Sequence, residues 1–219
     1  MRNKLVRFKD NEVITNVIQE GKELFTTIKG NWRQLVFKNE NDVVLEVACG
    51  RGEYTTGLAV EYADRNFIGI DIKGSRIWKG ADTANQAGLK NVAFLRTQID
   101  HLDRFFEPNE VNEIWLTFPD PRPKDSDEHR RLTYLRFLNL YRQVMVNGGI
   151  FRLKTDNADL FNYSLNVLKS LSWTSELIFT HDLCHSPLLA EHHGIVTHFE
   201  RKFKDKGAKI HYLKCRFSK

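Results

Sequence analysis

The chain has 219 residues, 41% of them apolar and 28% charged, the profile of an ordinary soluble globular protein with room for one α/β domain and a large core but not for two comfortable ones. No run approaches the ~18 apolar residues that a membrane span needs, and the opening MRNKLVRFKDN lacks the apolar core of a signal peptide, so the protein is expected to stay in the cytoplasm. Cys49, Cys184 and Cys215, odd in number and widely spaced, point to reduced thiols and not to a disulfide framework.

The net charge is +5, but its distribution says more. Eight Lys or Arg face a single acid, Asp205, between Arg201 and Lys219, and Arg2, Lys4, Arg7 and Lys9 stand among the first nine residues. Two basic chain ends attract a polyphosphate through a salt-dependent term that is blind to sequence.

Residues 1–40 mix aromatic and basic side chains (Phe8, Phe25, Trp32, Phe37) without a clear strand and read as an N-terminal extension; 41–219 reads as the domain proper. From Val43 onward, short β-branched or aromatic runs alternate with helix-period runs, which predicts a mostly parallel sheet with helices on both faces. The predicted strands are 43–49, 66–72, 92–98, 113–118, 149–155, 175–181 and 209–217; the predicted helices are 54–62, 75–87, 131–146 and 157–171. Between the last two strands lies one short helical stretch near 198–206, followed by Lys206-Gly207-Ala208, which suits a final strand inserted antiparallel. Pro119–Arg131, PDPRPKDSDEHRR, holds three of the five prolines and predicts a rigid exposed loop after the fourth strand.

In Leu45-Glu46-Val47-Ala48-Cys49-Gly50-Arg51-Gly52, an apolar strand runs into two glycines and then a helix. Gly50 and Gly52 let the backbone approach a ligand, and the helix start offers free N–H groups. The dinucleotide pattern is incomplete, because Thr55 stands where its third glycine belongs, and no phosphate-binding Gly-Lys-Ser/Thr follows. Asp71, ending the second strand, can accept hydrogen bonds from the two ribose hydroxyls of an adenosine. Glu46 is an acid in an apolar strand, a costly placement unless it answers a positive ligand group. The ammonium and sulfonium of S-adenosylmethionine supply such charge, whereas a pyrophosphate would be repelled. Gln98, ending the third strand, can read an adenine edge. Phe118-Pro119-Asp120-Pro121-Arg122-Pro123-Lys124 lies where open α/β sheets bind ligands, and its prolines pre-organise the Asp120 carboxylate toward a purine.

The segments LEVACGRG, FPDPRPK, HRRL, KTDN (154–157) and THFERKF (197–203), in this order, closely resemble the bacterial tRNA (guanine-N7-)-methyltransferase family over about residues 40–217. The resemblance implies a Rossmann-like class I methyltransferase fold, a seven-stranded sheet with one antiparallel strand. It implies methyl transfer from S-adenosylmethionine to N7 of a tRNA guanine, expected to be guanine-46 of the variable loop. By the same resemblance, Glu46, Asp71, Gln98 and Asp120 contact the donor, and Lys124, Asp156, Thr197 and Glu200 contact the guanine or nearby RNA. Asp120, Asp156 and Glu200 would accept hydrogen bonds from guanine N1–H and N2–H₂, with Thr197 fixing the base or its ribose.

The chain departs from the family at several points. Ala48 replaces the usual first glycine, Gln98 an Asp or Asn, Arg122 the Trp between two prolines, and Asp125-Ser126-Asp127-Glu128 a mostly basic stretch. The acidic insert weakens local attraction for phosphate and shifts tRNA contact toward the two basic chain ends. An amino-group methyltransferase of another RNA or DNA is the nearest alternative, but Pro-Asp-Pro-Arg lacks that group's stacked aromatic. A non-catalytic RNA-binding protein on the same scaffold would have no use for Glu46 and Asp71. His181, Cys184, His185, His192 and His193 match no common zinc spacing, so no metal is expected, and N7 chemistry needs no nucleophile from Cys49. Monomer and homodimer are both compatible with the sequence.

Overall fold

The computed structural model describes residues 3–204 and 207–219; Arg2 of the basic N-terminus and Asp205 and Lys206 of the C-terminal basic cluster lie outside the described residues. Its strands are β1 (Val17–Ile18), β2 (Asp42–Val47), β3 (Arg65–Asp71), β4 (Val92–Arg96), β5 (Val111–Thr117), β6 (Met145–Thr155), β7 (Thr174–Thr180) and β8 (His211–Phe217). Its α-helices are α1 (Lys4–Val13), α2 (Leu24–Thr27), α3 (Glu53–Glu61), α4 (Gly74–Gln86), α5 (Leu135–Val144), α6 (Ala158–Ser170) and α7 (His198–Lys204).

The strands form one sheet in the order β1-β4-β3-β2-β5-β6-β8-β7, and β8 runs antiparallel to both β6 and β7. All seven predicted strands are present, and the antiparallel one is the last. An eighth, β1, pairs parallel with β4 through two residues, Val17 and Ile18, too short for a period-2 pattern to register. The predicted helix over 131–146 is shorter at both ends. Tyr134 is extended before the first turn, and β6 begins at Met145, directly after Val144.

The longer helices α4, α5 and α6 pack on the sheet through an apolar stripe at helical spacing. Ile77, Ala81 and Ala84 of α4 turn inward, as do Leu160, Phe161, Ser164, Leu165 and Leu168 of α6, whose first turn is capped by the Asn157 side chain accepting from Leu160 N–H at 2.8 Å. On one face, Phe151, Leu153, Ile114 and Leu116 pack with Trp32 and Phe106; on the other, the tilted rings of Tyr54 and Trp115 lie with centres 4.8 Å apart beside Tyr212. Fully burying each such side chain contributes roughly 1.5–3 kcal/mol.

Two features position the site. The strand order reverses between β2 and β5, so their carboxyl ends diverge and leave a crevice, the place where open α/β sheets bind ligands. Residues 181–210 connect β7 to β8 without a return helix, through short 3₁₀ turns and α7, so this connection stays at the carboxyl edge and lies over that crevice.

Candidate active site

Glu46 stands at the reversal point, at 3% exposure. One oxygen accepts from Thr117 Oγ1 at 2.5 Å; the other accepts from Thr55 N–H at 2.8 Å and from the Thr55 hydroxyl. Burial pushes its carboxyl up to about 7 in spite of these bonds. Such an acid ionises readily when a cation arrives. Asp71 is fixed differently, accepting from Gly50 N–H at 3.0 Å and Lys73 N–H at 2.7 Å, which holds its carboxylate at the lip of the crevice.

The two glycines of the turn have separate reasons to be glycine. Gly50 has φ 57°, and a Cβ there would meet nothing within 4 Å, leaving an open cradle beside Asp71. Gly52 has φ 65°, and its Cβ would fall 2.4 Å from Phe94 Cε1, so its role in the structure is close helix-to-sheet packing and not lining of the cavity. Ala48 adopts φ 59°, a left-handed backbone that costs a non-glycine residue roughly 1–2 kcal/mol.

The loop after β5 is bracketed by two more left-handed residues, Phe118 (φ 47°) and Arg122 (φ 48°). Phe118 N–H donates to the Lys154 carbonyl at 2.8 Å, and the Arg131 side chain donates through Nε to the Arg122 carbonyl at 3.2 Å, so a hydrogen bond holds each end of the turn. Asp120 projects from its apex, exposed and ion-paired with Arg122 Nε at 3.3 Å. The rest of the predicted rigid loop is a 3₁₀ turn over Asp125–Arg130.

These elements enclose a cavity of about 710 Å³ whose lining includes Glu46, Gly50, Asp71, Gln98, Asp120 and Thr197. That volume suits a nucleoside-sized ligand with space for a second group. Lys124 is exposed on the loop outside this lining, and Asp156, half-buried with its carboxyl raised by burial, also stands outside it. Glu200 is fully buried and does not line the cavity. One of its oxygens faces Lys154 Nζ at 2.9 Å and the other His192 Nε2 at 2.5 Å, while its N–H donates to Thr197 Oγ1 at 3.1 Å. A base in the cavity therefore meets Thr197 and His198 before it could meet Glu200.

Sequence reading missed Thr55 and Thr117, which hold Glu46, and Lys154, which anchors α7 through Glu200. A lysine among the apolar residues of Phe151-Arg152-Leu153-Lys154 was the available signal, because a buried ammonium requires an anion. Arg152 follows the same rule, pairing with Glu113 at 2.6 Å and with Glu191, which ties the 181–210 connection to the sheet.

Burial, with the Glu46 and Asp71 carboxylates nearby, raises the Cys49 thiol well above its ordinary range, so no thiolate nucleophile arises there. Among the described residues, Cys184, His192 and Glu200 bring one potential metal-ligand atom each within 4.8 Å, but the Lys154 ammonium already stands against that carboxylate. A second depression, of about 560 Å³, lies along α1 beside Phe8, Lys9 and Arg96. No helix among the described residues is long and apolar enough to cross a membrane.

The family described as putative methyltransferase matches residues 40–213. Over nearly its whole length the chain is 51% identical to the tRNA (guanine-N(7)-)-methyltransferase of Cytophaga hutchinsonii, covering 99% of this chain and 98% of that protein. It is 45% identical to the protein of the same name from Christiangramia forsetii, with 97% of each covered. It is 44% identical to that from Bacteroides fragilis, with 97% of this chain and 85% of that protein covered. Among solved structures, the 16S rRNA methyltransferase KamB superposes with TM-score 0.66 at 17% identity, covering 94% of this chain and 99% of that one. A variant of the 16S rRNA (adenine(1408)-N(1))-methyltransferase from Catenulisporales acidiphilia, solved with its cosubstrate SAM, gives 0.58 at 12% identity, covering 87% and 91%. At such identities the structural likeness concerns the fold.

Proposed function

Because the chain belongs to the tRNA (guanine-N(7)-)-methyltransferase family, we propose that it methylates N7 of a guanine in tRNA, guanine-46 of the variable loop, using S-adenosylmethionine. Residues from 41 onward form the methyltransferase domain in this reading, with the preceding residues as an extension along its edge, acting in the cytoplasm where tRNA is made. The carrying observation is the set of acids gathered at one crevice: buried Glu46, tethered Asp71 and projecting Asp120. Acids so arranged suit a cationic small molecule better than a phosphate-bearing one.

The residues fit the donor. Gly50 leaves room for close backbone approach, Asp71 offers a fixed carboxylate to ribose hydroxyls, and Gln98 offers an amide to an adenine edge. Glu46 supplies the buried negative charge that an α-ammonium requires. When bound, S-adenosylmethionine supplies a methyl group activated by a sulfonium. Guanine N7 carries a free lone pair, so the protein needs no general base. Its task is to orient the ring and to stabilise positive charge as it grows on the purine.

Asp120 is the group placed for that task. It stands on a loop stiffened by Pro119 and Pro121, with its carboxylate at the cavity wall, where it accepts from guanine N–H donors. Asp156 assists from the end of β6, and Thr197 contacts the base or ribose from the start of α7. Glu200 acts through Lys154 to hold α7 in place, and Lys124 meets RNA phosphate outside the cavity. The guanine leaves its stack to enter, at a cost of a few kcal/mol.

The test is incubation of purified protein with methyl-labelled S-adenosylmethionine and unmodified tRNA transcript, followed by nucleoside analysis. Label in 7-methylguanosine, lost when the variable-loop guanine is replaced, is the expected outcome. Label in a methylated exocyclic amine, or none, overturns the proposal.

A further inference from the structure

Arg122 faces the cavity from the turn that carries Asp120. Its Nε lies 3.3 Å from Asp120 Oδ2, and its N–H donates to Asp120 Oδ1 at 3.3 Å. Arg130, the second cavity-lining arginine of this loop, is held likewise by a carboxylate three residues away, with Nη1 3.0 Å from Asp127 Oδ1. Both arginines thus carry an acid partner of their own loop. Both pairs are also partly exposed, so each contributes little and breaks easily.

A conflict follows from the proposed function, on which this inference rests. Asp120 needs its negative charge for a cationic donor and for a purine becoming cationic, yet in the free protein Arg122 is paired with it. The backbone cannot separate them. Pro121 and Pro123 flank Arg122, whose left-handed φ and carbonyl bond from Arg131 fix the turn. The arginine side chain can swing away while Asp120 Oδ1 still accepts from the Arg122 N–H. It does so when a stronger anion comes within reach, and a phosphodiester of an RNA strand entering this rim is one, since guanidinium pairs with phosphate in bidentate geometry.

We infer that Arg122 is a positioning residue that masks Asp120 until tRNA docks, and that an RNA phosphate then takes the guanidinium and releases the carboxylate for the donor and the guanine. The acidic stretch Asp125–Glu128 fits this device. By occupying Arg130 through Asp127, it keeps the loop's basic groups from holding other anions loosely. Masking makes donor and tRNA binding mutually reinforcing, and linkage requires the reinforcement to be equal in both directions. An exposed pair limits it to about twofold to fivefold.

The experiment titrates the full chain with sinefungin, an unreactive cationic donor analogue, with and without saturating tRNA transcript, for wild type, Arg122→Gln and Arg122→Lys. In wild type, tRNA should tighten sinefungin about twofold to fivefold. In Arg122→Gln, free protein should already bind sinefungin at the tightened level and the coupling should vanish. The log–log slope of tRNA affinity against salt should also fall by about one phosphate contact. Arg122→Lys should restore the slope and part of the coupling. A wild type without coupling, or an Arg122→Gln protein that keeps both coupling and slope, overturns the inference. If these binding results hold but no 7-methylguanosine forms, the proposed reaction fails and the masking stands. If tRNA does not bind at all, both fail.

Discussion

Lys154 and Glu200 lie 2.9 Å apart, and neither side chain has any exposed surface. The pair joins the end of β6 to α7, and the same ammonium sits 5.1 Å from the ring centre of Tyr54 in α3. Helices α3 and α7, which both line the cavity, therefore meet the end of β6 at one buried ion pair.

Glu200→Gln keeps the size of this side chain but removes the anion beside Lys154. Breaking a buried pair in this way costs about 3–5 kcal/mol. A large fall in Tm is expected, with a smaller fall for Lys154→Met combined with Glu200→Met, which removes both charges. Equal losses would show that charge is not what the pair contributes.

Glu46 makes stability depend on pH in a defined direction. Its carboxyl is raised in the folded state to about 7 from an ordinary 4.5. The stability it contributes is fully present below 4.5 and is lost as pH rises through about 7. Glu46→Gln cannot ionise, so the free variant should gain on wild type between pH 4.5 and pH 8, by up to about 3 kcal/mol. Urea melts of both proteins at pH 4.5, 6 and 8 measure this. A difference that stays constant with pH contradicts the assigned environment.

The glycine turn allows a paired test of packing against binding. Gly52→Ala drives a Cβ into buried Phe94 at a left-handed φ and should lower stability by about 2–4 kcal/mol. Gly50→Ala meets only the backbone cost of about 1 kcal/mol, yet puts a methyl into the cradle, so its larger effect should be on donor affinity. Ala48→Gly relieves the strain of φ 59° and should stabilise by about 0.5–1 kcal/mol. Thermal melts and calorimetric titration with S-adenosylhomocysteine separate the three. Similar profiles for Gly50→Ala and Gly52→Ala would refute their division of roles.

Much of this arrangement was legible because the core strands β2 to β6 are apolar runs punctuated by glycine, proline and acids, and local pattern decides such elements. That Glu46, Asp71 and Asp120 gather at one cavity follows from a related pattern, each being an acid at or just beyond the carboxyl end of a parallel strand. Glu200 was not readable as an anchor. Its partner Lys154 is distant in sequence, and the Thr197-to-Glu200 motif looks the same whether the acid points at a base or into the core. The part of the connection before α7, over 181–197, carries no period, and its course is set by long-range ion pairs such as Arg152 with Glu191.

The most direct measurement is the single-turnover rate of Asp120→Asn on tRNA with S-adenosylmethionine saturating. The rim carboxylate should be worth about 10²- to 10³-fold in rate, comparable to other pre-organised groups that meet developing charge, with the fold and overall Tm little changed. An Asp120→Asn protein that methylates N7 at the wild-type rate and holds the donor equally well would contradict the central claim that Asp120 stabilises the purine's growing positive charge.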